Sequence, residues 1–132
     1  MRTHCRRWAL WLLIQAAACL GVLDELEAVG ASTLQARGER LGRRLQALTG
    51  LPVVRDVRGL GLLYGVELAA GLLWPLMEEA ENRGVFFYPF TGAGKPRSEG
   101  LVIAPPLTAT DTDIDFMVTG LVDAVTALAE SS

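Results

Sequence analysis

The spacing of apolar residues predicts four helices along the chain. Leucines recur at steps of seven, four and three residues from Leu34 to Leu48, which is the pattern of one helix face. A continuous apolar stripe also runs from Ile114 to Leu128, and Thr110 and Asp113 before and within its first turn have the spacing of a capping box. The helices are predicted over residues 16–28, 32–48, 72–82 and 110–128.

The most unusual stretch is 56–68, where three glycines interrupt an apolar, strand-like run (Gly59, Gly61 and Gly65). We interpret it as one buried strand with a kink or a close backbone approach. A phosphate-binding glycine loop is the alternative, but no helix start and no Lys-Ser/Thr pair follow it. Short strands are predicted at 85–88 and 101–104, with a glycine-rich loop at 89–100. This order of elements predicts a two-layer α/β domain with helices on a small sheet.

The first 23 residues allow two interpretations. Arg2, Arg6 and Arg7 precede an apolar run and then small residues, a pattern that secretory signals share. The run is short for a membrane span, which needs about 20 apolar residues. The other interpretation is a buried amphipathic helix over 16–28 that ends near Gly30.

The charges are divided unevenly between the two halves of the chain. Residues 1–66 carry nine arginines and five acids, whereas residues 67–132 carry two arginines, one lysine and ten acids. We therefore expect the halves to attract each other within one fold, and the formal net charge of −3 argues against a nucleic-acid partner. The arginines of the second helix are expected to face solvent: Arg37, Arg40, Arg43 and Arg44.

The residues that carry chemistry are few. One histidine and two cysteines near the start exclude a histidine-centred triad and a disulfide framework, and they favour a reduced compartment. Three aspartates at the last helix start could bind a metal, but acids at this position more often interact with the helix dipole: Asp111, Asp113 and Asp115.

The loop 89–100 is the best candidate for a binding site, because it brings several polar groups onto a glycine-rich connection. An arginine in such a loop could bind a substrate carboxylate through two hydrogen bonds. A surface loop with solvated charges is the alternative. Its polar residues are Thr91, Lys95, Arg97 and Glu99.

Four blocks resemble the C-terminal part of class III pyridoxal-phosphate-dependent aminotransferases, in the family's order. They are AAACLGVLDELEA at 16–28, GERLGRRLQAL at 38–48, DVRGLGLLYGVEL at 56–68, and RGVFFYP at 83–89 followed by LVIAPPLTATDTDID at 101–115. The resemblance assigns residues 15–130 to the family's C-terminal region and leaves 1–14 as an atypical segment. That segment then looks like a misassigned start or a remnant rather than a targeting signal.

The resemblance implies the small C-terminal domain of a fold-type I enzyme. Such an enzyme is a cytoplasmic homodimer, contacts no nucleic acid or membrane, and transfers an amino group from an amine or omega-amino acid to a keto acid. It uses pyridoxal 5'-phosphate, which a lysine holds as a Schiff base.

Several features of the family's pattern are missing. The Schiff-base lysine of the family lies upstream of these blocks, so Lys95, the only lysine, cannot be assigned that role. The TxSGHP-like segment and the aspartate that pairs with the pyridine nitrogen are also absent, and the segment from Glu67 to Glu78 is short. Ornithine-type relatives carry an arginine where Val102 stands, which favours the amine or omega-amino-acid:pyruvate branch, with Arg97 as the candidate carboxylate-binding residue.

Three hypotheses follow from the sequence. The first is a fragment of a transaminase that is inactive alone and does not bind the cofactor stably. The second is a non-catalytic interaction module that docks on a transaminase large domain. The third is a secreted or membrane-anchored small domain, which would depend on residues 2–23.

Overall fold

A computed structural model describes residues 2–92 and 98–131. This part of the chain contains four helices and four strands. In chain order they are α1 (Arg2–Val29), α2 (Ala31–Gln46), β1 (Val54–Leu60), β2 (Leu63–Leu68), α3 (Leu73–Asn82), β3 (Tyr88–Thr91), β4 (Glu99–Ile103) and α4 (Asp111–Ser131), with a 3-10 turn (Ala47–Gly50) after α2.

The strands form one antiparallel sheet in the order β1-β2-β4-β3. One face of this sheet packs against helices α2, α3 and α4, which confirms the predicted two-layer α/β fold. The core is mostly aliphatic, and its buried side chains repeat along α2, α3 and α4 as the apolar spacing predicted. The largest fully buried side chains are Leu41, Leu45, Leu48, Leu68, Leu73, Leu76, Leu101, Ile103, Ile114, Leu121, Val66 and Val118.

The prediction of a single kinked strand at 56–68 is wrong, because this stretch is the β1–β2 hairpin. Gly61 and Leu62 form its two-residue turn, and Gly61 has a φ of +59°, the sign that a type II′ turn requires at its first central position. Gly59 lies opposite Tyr64 across the hairpin. The Tyr64 ring packs against Gly59, and its hydroxyl lies against Gly42 of α2. Gly61 therefore marks the turn, and Gly59 marks close packing within the hairpin.

The first helix is longer than predicted, and the expectation that residues 16–28 are buried is also wrong. Helix α1 begins at Arg2, and its side chains from residue 11 onward are largely exposed. Trp11 is 64% exposed and Leu20 is 61% exposed, whereas Leu26 and Val29 are half-buried. Within residues 2–92 and 98–131, no helix has both the length and the apolar content needed to cross a bilayer.

The strand predicted at 85–88 begins three residues later. Residues 85–87 instead leave α3, where the Val85 amide donates to the Ala80 carbonyl at 3.1 Å. Val85 and Phe87 are buried, and ladder pairing begins only where Tyr88 meets Val102. The predicted loop 89–100 is shorter for the same reason, since β3 and β4 extend into it from both ends.

The start of α4 is as predicted. The Asp113 amide donates to Thr110 Oγ1 at 3.2 Å, and Asp113 Oδ2 accepts from the Thr110 amide at 2.9 Å. This reciprocal pair satisfies two amides at the helix start, which is the capping box expected from the sequence. Pro75 lies in the first turn of α3, where the missing N–H of proline costs no hydrogen bond.

Candidate functional site

The loop predicted to bind substrate is anchored at the end of the β3–β4 pair. Thr91 pairs with Glu99, and the Gly92 amide donates to the Ser98 carbonyl at 2.6 Å. Lys95 and the predicted substrate-binding residue Arg97 lie outside the described residues. The structure therefore places the two ends of the loop, and the role of Arg97 stays a prediction.

Glu99, one of the loop's candidate binding groups, instead forms hydrogen bonds with the start of α3. Its Oε1 accepts from the amides of Leu72 and Leu73, at 2.9 and 3.4 Å. These amides are at the N-terminus of α3, where Leu72 provides no side-chain cap. A carboxylate from strand β4 therefore satisfies the helix start, and Glu99 is engaged in holding α3 against the sheet.

The sheet face opposite the helices forms an open surface, which we call the open sheet face. Arg58, Gly65, Val102 and Tyr88 stand in one row across the four strands. Their neighbours along each strand, such as Val57, point into the core, so these four residues point away from it. Val102, whose position carries an arginine in ornithine-type relatives according to the resemblance, thus faces outward.

Arg58 is a positively charged residue on the open sheet face. Its guanidinium donates to Asp56 at 2.6 Å and lies 3.3 Å from Glu67. The hydrogen bond to Asp56 and the charges of Asp56 and Glu67 raise the pKa of Arg58. Both acids lie on the same face, so the charge of Arg58 is largely compensated within the chain.

A groove of about 450 Å³ lies at the other end of the β3–β4 pair from the loop. Most of its lining is apolar, and its wall includes Phe86 and Tyr88, which are 72% and 74% exposed. Thr108 and Asp113 add polar groups, but Asp113 is already engaged in the capping box. The groove therefore offers an apolar surface and no acid or base free for catalysis.

The aspartates at the start of α4 are engaged in contacts within the chain. Asp111 binds Arg37 at 2.9 Å, and Asp115 binds Arg40 and Arg44 at 2.5 and 2.6 Å. We call these five residues the α2–α4 ionic seam. Among the described residues, no group of three or more His, Cys, Asp or Glu side chains could hold a metal ion.

The α2–α4 ionic seam corrects the expectation that the α2 arginines face solvent. Arg43 does so, at 72% exposed, but Arg37, Arg40 and Arg44 join α2 to α4. Arg44 also donates to Thr119 Oγ1 at 3.0 Å. The uneven division of charge between the two halves of the chain therefore becomes an attraction between two packed helices.

The α2–α4 ionic seam and the capping box should make the free energy of unfolding depend on pH in the acid range. Desolvation raises the pKa of Asp115, but the hydrogen bonds from Arg44 and Arg40 lower it overall, and the bond from Thr110 lowers the pKa of Asp113. A carboxyl with a lowered folded pKa contributes stability above its unfolded pKa of about 4 and loses it as pH falls through the folded value. Urea midpoints should therefore fall below about pH 4.

Asp115→Asn should flatten that fall, because the asparagine cannot lose a charge. Asp123→Asn, at an exposed position of the same helix, is the matched control, and its urea midpoint should fall with pH as steeply as that of the parent chain. If the urea midpoints of the parent and of Asp115→Asn fall equally steeply with pH, a role for the α2–α4 ionic seam is contradicted.

Comparison with known proteins identifies the protein family of this chain. The family model of class-III aminotransferases matches residues 13–125, which is most of the chain and includes every strand described above. This chain belongs to the class-III aminotransferase family.

Curated aminotransferases agree with this assignment. The chain is 31% identical over 130 residues to adenosylmethionine-8-amino-7-oxononanoate aminotransferase of Nitratidesulfovibrio vulgaris, with 89% of this chain and 23% of that protein covered. It is 35% identical over 116 residues to acetylornithine aminotransferase of Bifidobacterium longum, with 87% and 25% covered. This chain thus spans about a quarter of the length of these relatives.

Solved transaminase structures contain the same fold. An amine transaminase from an uncultivated Pseudomonas species, in its PLP-bound internal aldimine form, superposes with a TM-score of 0.69 at 29% identity, covering 84% of this chain and 27% of that one. A transaminase with L-alanine gives a TM-score of 0.70 at 27% identity, covering 88% and 28%. The two-layer domain is therefore a recurring part of much longer transaminases.

The family uses pyridoxal phosphate, but the residues described here do not fit that cofactor. An internal aldimine needs a lysine amine, and the one lysine of the chain, Lys95, lies outside the described residues. The groove beside Tyr88 is mostly apolar, and Arg58 is already paired with two acids. We assign no cofactor-binding residue within the described ranges.

Proposed function

We propose that this chain is the small-domain portion of a pyridoxal-phosphate-dependent transaminase and that it transfers no amino group by itself. The observation that carries this proposal is the coverage of 23 to 28% in the relatives named above, together with the single lysine. A transaminase needs its Schiff-base lysine both to hold the cofactor and to move the proton. The substrates of the assembled enzyme would be an amine or omega-amino acid and a keto acid.

In that assembled enzyme, Arg97 would bind a substrate carboxylate from the loop between β3 and β4. The ends of this loop are fixed by the sheet through the Gly92–Ser98 hydrogen bond, which supports a loop that carries a binding group on a rigid scaffold. We place the enzyme in the cytoplasm as a homodimer by the resemblance alone.

The test is to add pyridoxal phosphate to the purified chain and to record the absorbance of an internal aldimine. We expect no such band and no turnover of an amine with pyruvate. Borohydride reduction and peptide mass spectrometry then locate any adduct, and Lys95→Arg is the control that separates Lys95 from the N-terminal amine. A reduced adduct on Lys95 accompanied by turnover would overturn the proposal.

A second candidate function is docking on a transaminase large domain. The exposed aromatic residues Phe86 and Tyr88 beside the apolar groove favour it, because large apolar patches on a monomer often mark interaction sites. The partner would be the remaining, N-terminal part of a transaminase such as the Bifidobacterium longum relative. Co-expression of the two parts should restore activity, and Phe86→Ser/Tyr88→Ser should reduce it, whereas a pair that never associates would exclude docking.

A further inference from the structure

Helix α1 meets the rest of the domain along one side of its C-terminal half. Val22, Leu26 and Val29 line an apolar pocket of about 290 Å³ together with Leu107, which follows β4. Leu26 and Val29 are half-buried. The apolar character of this side is therefore explained by contacts within the chain.

The opposite side of α1 carries an apolar stripe that faces away from the domain. We call it the outer α1 stripe and define it by Leu13, Ala16, Leu20 and Leu23. These residues step by three, four and three, so they lie along one side of the helix. At 3.6 residues per turn, that side is roughly opposite the residues that line the pocket with Leu107. Leu13, Leu20 and Leu23 are 67, 61 and 54% exposed.

The composition of this part of α1 does not suit a helix in water. From Trp11 to Leu23 it contains no charged residue, and Gln15 is its single amide side chain. A surface helix normally has polar residues on the side away from the core, whereas a helix that is apolar all round is buried. The described residues of the domain cover one side of α1, so a second body is needed for the other.

The family match indicates where that second body comes from. The class-III aminotransferase model begins at residue 13 and therefore includes the whole outer α1 stripe. The chain covers only 23 and 25% of the two curated relatives described above. In such a relative, the remaining three-quarters of the protein is available to cover the stripe.

We propose that the outer α1 stripe is the surface on which the large part of a transaminase docks, so that α1 lies between that part and the domain described here. The inference rests on the proposed function, because it takes this chain to be one portion of a transaminase. It assigns the main contact to Leu13, Leu20 and Leu23. The apolar groove beside Phe86 and Tyr88 is a separate surface.

The test uses the full chain, tagged and co-expressed with the remaining, N-terminal part of the Bifidobacterium longum acetylornithine aminotransferase. We expect the two to co-purify. Hydrogen exchange followed by mass spectrometry should show α1 amides of residues 13–24 exchanging at least about tenfold more slowly in the complex than in the chain alone. Leu20→Ser/Leu23→Ser should reduce the co-purified partner at least about tenfold.

Controls separate a lost contact from a lost fold. Leu20→Ser/Leu23→Ser should keep the urea midpoint of the parent chain when no partner is present, because both side chains are mostly exposed. Gln15→Ser places the same residue in α1 but leaves the stripe intact, and Phe116→Ser removes an apolar side chain of similar exposure from α4. Both controls should retain the partner as the parent chain does.

Several results would overturn the proposal. One is a parent chain that never co-purifies with the large part, including a chain that instead sediments with phosphatidylglycerol vesicles or protects α1 by self-association alone. Another is a complex in which α1 exchanges as fast as in the free chain, or in which the stripe variant binds as the parent does. These outcomes leave the proposed function standing, since that function fails only on a reduced Lys95 adduct accompanied by turnover.

Discussion

Replacing Gly38 with alanine is expected to lower the free energy of unfolding by about 1–3 kcal/mol. A Cβ atom at this position of α2 would lie 2.8 Å from the backbone carbonyl carbon and oxygen of Gly61. The neighbour is backbone in a two-residue turn with a φ of +59°, so it cannot rotate away as a flexible side chain would. The clash should exceed the gain of about 1 kcal/mol that alanine normally brings to a helix.

Gly50→Ala is the matched control for this prediction. Gly50 ends the 3-10 turn after α2, and a Cβ there would meet nothing within 4 Å. Its alanine variant should be neutral or more stable by up to about 1 kcal/mol. Urea unfolding followed by circular dichroism measures both variants. Equal stability of Gly38→Ala and Gly50→Ala would show that α2 does not approach the hairpin turn this closely.

The Gly38–Gly61 contact lies at a hairpin turn that the sequence prediction missed, although the two layers of the fold were predicted. Helix faces follow from local periodicity, so α2, α3 and α4 appear close to their predicted bounds. The β1–β2 hairpin depends on one glycine turn, and the stretch 56–68 reads as a continuous apolar run when that turn is missed. Gly61 followed by Leu62 was the available signal, because type II′ turns begin with glycine.

The candidate site was less predictable because its contacts join residues far apart in sequence. Glu99 looked like a loop binding group, and nothing nearby in the sequence indicates that it accepts from the amides of Leu72 and Leu73. The uneven charge of the two halves predicted an attraction, but periodicity could not match Arg40 and Arg44 with Asp115. Alternation along β4 does place Val102 opposite its buried neighbours, so its outward direction could have been predicted.

Truncating Leu121 to alanine is expected to have the larger effect, a loss of about 2–5 kcal/mol in the free energy of unfolding. Leu121 is fully buried in α4, in the core between the helices and the sheet, so the substitution removes apolar contacts and leaves a cavity. The total stability of a domain is about 5–15 kcal/mol, so this loss could unfold much of the population at moderate urea.

Phe116→Ala provides the comparison on the same helix. Phe116 is a larger side chain than Leu121, but it is 59% exposed, and substitutions at such surface positions usually change stability by less than about 0.5 kcal/mol. Urea midpoints of both variants at neutral pH test the difference. If residue size decided the outcome, Phe116→Ala would be the more damaging change. If the packing of α4 on the sheet decides it, Leu121→Ala is far more damaging, because only Leu121 lies in the layer that joins the helices to the sheet.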